Sequence, residues 1–379
     1  MVRGDSMRKR KTCWDDSAAR VEATVRGETP DRVPTILLET EGMCARVSGI
    51  SVHRMVEDPK LAAEATFEFA SVTGADAFNY ALIEWPGSVW ELMTLARANG
   101  IPESEVAKPL DYEVYYPNEG AILRRIKDIE KLQIPDYERT PPWSKILEGR
   151  KILVEKIGGY AFLVPPIYPS MDTWVANVMG TERFYMTMRK EPELLKIAFK
   201  KAYEAQVALH KAYCNTVGNP PVLAIDPLFA NKNMVAWKHW MEFVAPWFFK
   251  FLKEYHPDGL VTHNCGRSPY WEELITTMRK EGLGATVIGV NAACPWDVNW
   301  WVEFRKKFPD VLITGVTLDT SAVMIGPMDA VRKRAIEVVT KLKPYKRLMI
   351  GPVCQAGWNV PLSNLLVLTE VVEEYGRYY

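Results

Sequence analysis

A histidine and a cysteine two residues apart, in His263-Asn264-Cys265-Gly266, are the sharpest candidates for chemistry in the chain. They follow the apolar run 259–262, which is typical of a strand. Side chains two positions apart along a strand face the same side, so His263 and Cys265 can converge on one atom. An imidazole nitrogen and a thiolate sulfur are ligands that Zn²⁺ takes readily, at about 2.0 and 2.3 Å.

A third ligand is expected from Cys354, which follows the predicted strand 347–351. If the chain closes into a barrel, the carboxyl ends of its strands meet at one mouth and bring Cys354 to His263. Three protein ligands leave a fourth position open to substrate, as in a catalytic zinc site. Cys294 also follows a predicted strand and competes for this role. A buried histidine beside an inert thiol is the alternative interpretation.

Carboxylates also stand at the ends of predicted strands. They are candidates for a fourth zinc ligand, a hydrogen-bond partner of His263 or a proton carrier. Helix capping or loop hydrogen bonding is the alternative. The candidates for a catalytic role are Glu41, Glu84, Asp226 and Asp319, with Glu39 beside the first of them.

Aromatic residues are abundant, with 13 Trp and 16 Tyr, and several lie at or after predicted strand ends. A flat apolar substrate would stack on them. Packing of loops is the alternative interpretation. The candidates for substrate binding are Tyr80, Trp85, Tyr168, Trp174, Phe229, Trp296 and Trp358.

Strand and helix patterns alternate along the chain, which predicts an α/β fold. The expected architecture is a single (β/α)8 TIM-like barrel, with a doubly wound open sheet as the alternative. Residues 1–15 are predicted to be a flexible tail and 16–379 the barrel domain, with an inserted cap region over about 84–142. Predicted strands cover 32–38, 74–80, 160–164, 221–226, 259–263, 284–291, 311–316 and 347–351; predicted helices cover 16–26, 58–73, 191–213, 237–255, 270–281, 300–307 and 328–341.

Composition excludes several classes of protein. The 47 basic and 47 acidic residues balance, so there is no overall positive field to hold nucleic acid. No apolar run approaches the roughly 20 residues that span a bilayer. Six thinly spread cysteines without a secretory pattern favour reduced thiols and a cytoplasmic location.

Several segments resemble the uroporphyrinogen decarboxylase superfamily, and within it the cobalamin-dependent methyltransferase branch. The resemblance runs from Arg20 to the end of the chain and includes His263-Asn264-Cys265-Gly266, which is similar to a family segment ending in His-x-Cys-Gly. The other segments are Gly27 to Pro34, Gly74-Ala75-Asp76, Phe243 to Pro246, Asp319 after Gly315-Val316-Thr317-Leu318, and Cys354, Pro361 and Asn364 as a closing Cys…Pro…Asn motif.

This resemblance implies a zinc enzyme with His263, Cys265 and Cys354 as ligands and with cobalamin carried by a partner corrinoid protein. Contact with the corrin ring of that partner is then a further alternative role for the aromatic residues named above. Its expected reaction moves a methyl group from a methoxylated aromatic compound to the Co(I) corrinoid. A methylcobalamin:thiol methyltransferase of the coenzyme M type is the first alternative. The chain lacks the Arg-Gln-Ala-Gly-Arg segment of the decarboxylases near its amino terminus, which disfavours tetrapyrrole decarboxylation. A non-catalytic binding barrel is a further alternative, and the resemblance leaves a homodimer open.

Overall fold

A ring of parallel strands forms the centre of the computed structural model. The structure describes residues 16–38, 41–82, 85–115, 122–220, 222–255, 259–264, 269–285, 287–292, 295–315, 318 and 323–378. Within them the ring strands are β1 Ile36–Leu37, β2 Ala77–Phe78, β3 Phe162–Leu163, β4 Leu223–Ile225, β5 Gly259–Asn264, β6 Val287–Ala292, β7 Leu312–Thr314 and β8 Leu348–Met349. Each lies within a predicted strand or, for β5 and β6, runs one residue past it.

Parallel pairing closes this ring. The strands β1 to β3 are adjacent in chain order, as are β4 to β8, and all these neighbours pair in parallel. Parallel bridges Ile167 to Ala224 and Thr35 to Ile350 join the two groups at both ends. Eight parallel strands that return to the first make a (β/α)8 barrel, so the predicted architecture is confirmed and the open sheet is excluded.

Helices cover the outside of the barrel. Those of the described residues are α1 Ser17–Arg26, α2 Glu41–Ser48, α3 Val52–Glu57, α4 Pro59–Thr73, α5 Val89–Ala98, α6 Trp143–Ile157, α7 Met171–Met179, α8 Thr181–Lys190, α9 Pro192–Thr216, α10 Trp237–Phe243, α11 Ala245–Tyr255, α12 Trp271–Lys280, α13 Val298–Lys307, α14 Met328–Leu342 and α15 Leu362–Tyr375. None of these helices is long and apolar enough to cross a membrane.

Local chemistry sets the ends of α4 as predicted. The Asp58 side chain accepts from the N–H groups of Lys60 and Leu61, Pro59 takes the first helical position, and Gly74 ends the helix at a φ of 63°. The Asp58 side chain pairs backbone N–H groups that have no partner within the helix, and Pro59 has no N–H to leave unpaired. Gly74 adopts the left-handed region freely, which allows the chain to leave the helix.

The single helix predicted over 237–255 is wrong. The structure breaks it at Val244 into α10 and α11. Pro246, the second residue of α11, has no N–H to donate to the carbonyl of Glu242, and its ring clashes with that carbonyl in a continuous helix. Helices α2, α3, α5, α6, α7, α8 and α15 were not predicted as elements.

The segment over the predicted insertion, about 84–142, holds α5 and a short antiparallel pair, Lys108–Pro109 with Val114–Tyr115. Helix α5 is largely buried and includes Trp90, which is fully enclosed. The division of the chain into tail, barrel and insertion stays a prediction.

A buried ionic cluster lies at the amino-terminal end of the barrel, just before β2. Asp76 is fully buried and accepts from Arg20 Nη1 at 2.6 Å, Arg32 Nη1 at 2.7 Å, Ser17 Oγ at 2.7 Å and the backbone N–H of Thr35 at 2.8 Å. These contacts therefore anchor α1 and the segment before β1 to the amino-terminal end of β2.

Candidate metal and substrate site

His263 and Cys354 meet at the carboxyl end of the barrel although 91 residues separate them. His263 is buried near the end of β5, and its Nε2 lies 3.8 Å from Cys354 Sγ. This proximity follows from the closed ring, because the loop after β8 returns to the same mouth as β5.

The loop that carries Cys354 is held in place by backbone contacts. The N–H of Val353 donates to Leu318 O at 3.1 Å, and the N–H of Ala356 donates to Leu38 O at 2.6 Å. Gly315, after β7, has a φ of 59°, and a Cβ there would lie 2.8 Å from Pro352 O. The glycine thus lets the loop pack closely against the end of β7.

Asn291 orients the imidazole. It lies opposite His263 in the β5–β6 ladder, and its Oδ1 is 3.2 Å from His263 Nδ1. An amide oxygen only accepts, so Nδ1 carries a proton in this contact, and Nε2 is the nitrogen directed towards Cys354. Sequence reasoning missed Asn291 because a neutral amide near a strand end carries no motif of its own.

The charge state of this histidine follows from its neighbours. Burial lowers the pKa of His263, but the hydrogen bond and charge of Cys354, the charge of Asp226 and the hydrogen bond of Asn291 together raise it to about 9. A metal ion at Nε2 would therefore compete with a proton, as is general for imidazole ligands.

Two of the four predicted catalytic carboxylates fall within the described residues, and both are buried. Asp226 follows β4, and burial raises its pKa to about 7 although the charge of His263 lowers it; Asp172 raises it further. Its Oδ1 has no hydrogen-bond partner among the described residues. Glu41 begins α2, and burial raises its pKa to about 7. Asp226 therefore shares the electrostatic environment of His263.

Several candidates from the sequence lie outside the described residues: Cys265 and Cys294, and the carboxylates Glu39, Glu84 and Asp319. Within the part of the chain that the structure describes, no group of three His, Cys, Asp or Glu side chains is arranged to hold a metal. His263 and Cys354 are the two predicted zinc ligands that the structure places together.

A cavity of about 80 Å³ opens beside this pair. On the scale on which one water molecule takes about 10–15 Å³, this is room for about six waters, comparable to a single substituted ring. Its wall is mostly apolar, and polar groups enter at a few points. The lining includes Ile36, Leu38, Val164, Ile167, Ala224 and Val261 among apolar residues, and Asn79, Arg150, His263, Asn291, Thr314, Cys354 and Gln355 among the others.

Of the predicted aromatic substrate contacts, Tyr80 and Trp85 line the cavity. The other five lie elsewhere: Tyr168, Trp174 and Phe229 are buried in the core, while Trp296 and Trp358 are 40% and 42% exposed. Tyr168 packs edge-on against His210, with ring centroids 5.6 Å apart, and Trp358 stacks on Tyr112. A position after a strand puts a residue near the barrel mouth, but its side chain can still turn to the core or to solvent.

Trp174 instead belongs to a buried network around Glu91. The Glu91 carboxylate accepts from Tyr137 Oη at 2.5 Å, Trp174 Nε1 at 3.0 Å and the N–H of Gly87 at 2.8 Å. These contacts join α5 to α7. They also hold Gly87, which lies two residues after the cavity-lining Trp85. The network therefore holds one wall of the cavity in place.

Glu91 makes the stability of the protein depend on pH. Burial raises its pKa from 4.5 to about 7 and outweighs the three hydrogen bonds, which lower it. The folded chain then holds this proton more tightly than the unfolded chain, so the Glu91 contribution to the free energy of unfolding falls as pH rises from about 4.5 to 7. We expect Glu91→Gln to flatten this part of the profile, measured as urea midpoints from pH 5 to 8. The exposed Glu64→Gln is the control, and parallel profiles for wild type and Glu91→Gln would refute the assignment.

Comparisons with known proteins agree with this architecture. A methyltransferase from Methanosarcina mazei superimposes with a TM-score of 0.72 over 95% of this chain and 98% of the other, at 18% sequence identity. At that identity the likeness shows a shared fold. Among curated proteins, none matches the chain by sequence. The family model for uroporphyrinogen decarboxylase (URO-D) matches residues 16–375, nearly the whole chain, and the protein therefore belongs to the uroporphyrinogen decarboxylase family.

Proposed function

We propose that this chain is a zinc-dependent methyltransferase that moves a methyl group from a methoxylated aromatic compound to the Co(I) corrinoid of a partner protein. The observation that carries the proposal is the approach of His263 Nε2 and Cys354 Sγ to 3.8 Å beside an apolar cavity. The name of the structurally similar methyltransferase supports the reaction class.

The donor set fits zinc. Tetrahedral ligands at about 2.0 and 2.3 Å from Zn²⁺ stand about 3.5 Å apart, close to the observed separation of Nε2 and Sγ. Asn291 fixes the imidazole tautomer that presents a lone pair, as hydrogen-bond partners of zinc-bound histidines do. Cys265, two residues after His263, is the proposed third ligand.

Zinc held by His263, Cys354 and Cys265 would supply Lewis acidity towards the ether oxygen, which is the leaving atom when the methyl carbon passes to the Co(I) corrinoid. The C–O bond breaks with its electron pair on oxygen, and a bond forms between cobalt and carbon. An aryloxide is a feasible leaving group because a phenol has a pKa of about 10.

The residues of the chain bind and orient the substrate. Tyr80 and Trp85 line the cavity and are the proposed contacts for a flat substrate, and the aliphatic wall excludes water. Asp226 is buried at the end of β4, its Oδ1 has no hydrogen-bond partner among the described residues, and it interacts electrostatically with His263; it is the proposed source of the proton that the aryloxide takes up. Tetrapyrrole decarboxylation fits less well because the chain lacks the Arg-Gln-Ala-Gly-Arg segment of the decarboxylases near its amino terminus.

A second candidate is thiol methylation, in which the site activates a thiol of the coenzyme M type that takes its methyl group from methylcobalamin. The observation in its favour is that five of the seven predicted aromatic contacts lie away from the cavity, which leaves a wall dominated by aliphatic and prolyl groups. Such a wall suits a small thiol as well as a ring.

The two candidates differ in the direction of methyl transfer. Incubation with a Co(I) corrinoid protein and a methoxybenzoate should release one phenol for each methylcobalt formed. The absorption spectrum of the cobalt measures the methylcobalt. His263→Ala should show neither product, while the exposed His53→Ala serves as control. Absence of phenol together with rapid demethylation of methylcobalamin by a thiol would establish the second candidate instead.

A further inference from the structure

Trp85, which lines the cavity of the candidate site, is the first residue of a tight turn. The turn Trp85-Pro86-Gly87-Ser88 closes with a hydrogen bond from the N–H of Ser88 to Trp85 O at 3.0 Å. Gly87 has a φ of 81°, which suits a turn with Pro at its second and Gly at its third position. The turn is buried from Pro86 onward, although most turns lie at the surface.

Side chains from two helices supply the hydrogen bonds that this buried turn needs. The N–H of Gly87 donates to Glu91 Oε2 at 2.8 Å, and its carbonyl accepts from Asn177 Nδ2 at 3.0 Å. Glu91 belongs to α5 and Asn177 to α7. A Cβ on Gly87 would lie 3.1 Å from Trp174 Cα, so the turn also packs closely on the backbone of α7. Buried backbone groups rarely go without partners, so these two side chains determine where the turn can lie.

The start of α5 explains why Glu91 reaches the turn. The segment 88–91, Ser-Val-Trp-Glu, has the pattern of a capping box, in which the glutamate usually accepts from the N–H of the capping serine. Ser88 Oγ accepts from the N–H of Glu91 at 3.4 Å, as in that box. The N–H of Ser88, however, already donates to Trp85 O, and the Glu91 carboxylate accepts from Gly87 instead. The carboxylate therefore holds the turn as well as the helix.

We propose that Glu91 and Asn177 are positioning residues for ligand binding, which hold the 85–88 turn so that Trp85 forms its part of the cavity wall. Neither residue lines the cavity, so each would act on the ligand only through Trp85. The inference rests on the proposed function for Trp85 as a contact of an aromatic substrate. A side chain held in place before binding loses less conformational freedom when the ligand binds, which raises affinity.

A double-mutant cycle tests this coupling in equilibrium binding of 4-methoxybenzoate, without corrinoid protein. Trp85→Ala should weaken binding about 10-fold because an aromatic contact is lost. Asn177→Ala should weaken it about 3- to 10-fold, as expected for one hydrogen bond. Asn177→Ala should change affinity less than about twofold when Trp85 is already alanine, because the two substitutions then remove the same contact. Glu91→Gln should follow the same pattern, since an amide has one oxygen for the three donors of the carboxylate.

Asn99→Ala is the matched control, because the Asn99 amide also donates to backbone carbonyls, at the opposite end of α5. It should leave ligand affinity unchanged, whatever it costs in stability. The Asn177 cycle leaves the buried carboxylate intact, so it decides the question even if Glu91→Gln folds poorly.

Four results would overturn the inference: no binding of 4-methoxybenzoate to the wild-type protein, unchanged affinity in Trp85→Ala, unchanged affinity in Asn177→Ala, or an equal loss from Asn177→Ala with and without Trp85. Coupling through Trp85 in a protein that releases no phenol in the transfer assay would uphold the positioning role while the proposed demethylation fails.

Discussion

Replacing Cys354 by serine is expected to lower bound zinc from about one ion per chain to a small fraction of that and to abolish methyl transfer. A serine hydroxyl does not deprotonate near neutral pH, so the site loses a thiolate ligand. His263 would keep the contact of its Nδ1 with Asn291 Oδ1 but lose the sulfur that now lies 3.8 Å from its Nε2. Elemental analysis after dialysis measures the metal, and the corrinoid assay measures the transfer.

Cys214→Ser is the matched control because it also removes a partly buried thiol near a histidine. Its Sγ lies 3.4 Å from His210 Nε2, on the outer helix α9 away from the barrel mouth. We expect zinc and activity to stay at wild-type levels in this variant. Full zinc occupancy in Cys354→Ser would remove Cys354 from the ligand set. Loss of zinc with unchanged methyl transfer would point to a non-catalytic role for the metal.

The sequence predicted the parts of the fold that depend on local chemistry and on alternation. Asp58, Pro59 and Gly74 mark the ends of α4 because capping groups act within a few residues. All eight ring strands overlap predicted strands, because a parallel barrel buries most of their residues and so selects apolar runs. The break at Val244 was missed because the aromatic periodicity of 237–255 masks the effect of Pro246.

The cavity wall depends on tertiary packing and was harder to predict. Arg150 lies in the middle of a helix that precedes β3, so a search restricted to strand ends passes over it. Trp174 and Tyr168 follow strand β3 as expected, yet their rings pack into the core against Glu91 and His210. Only the direction of each side chain, which long-range contacts determine, separates these residues from Tyr80 and Trp85.

Asp76→Asn is expected to destabilise the protein by about 3 kcal/mol, because two buried arginines lose their buried anion and keep only the half-exposed Asp31 and Glu373 as charged partners. Asp76 is the buried anion that faces both Arg20 and Arg32, which are themselves only 8% and 5% exposed. Burial alone would lower the pKa of Arg20, but Asp31 and Asp76 raise it, so this guanidinium stays charged in the variant. Urea denaturation followed by circular dichroism measures the loss.

The exposed pair Arg279 and Asp310 provides the comparison, with side chains 39% and 61% exposed. Asp310→Asn should cost less than about 1 kcal/mol because solvent screens surface ion pairs. Equal losses in the two variants would mean that burial does not strengthen the Asp76 cluster. Zinc content of refolded Asp76→Asn should equal that of wild type, since the cluster lies at the amino-terminal end of the barrel and His263 and Cys354 lie at the other. A loss of stability without a loss of zinc would therefore show that the Asp76 cluster at the amino-terminal end stabilises the barrel, while metal binding depends on the carboxyl-terminal end, where the proposed chemistry takes place.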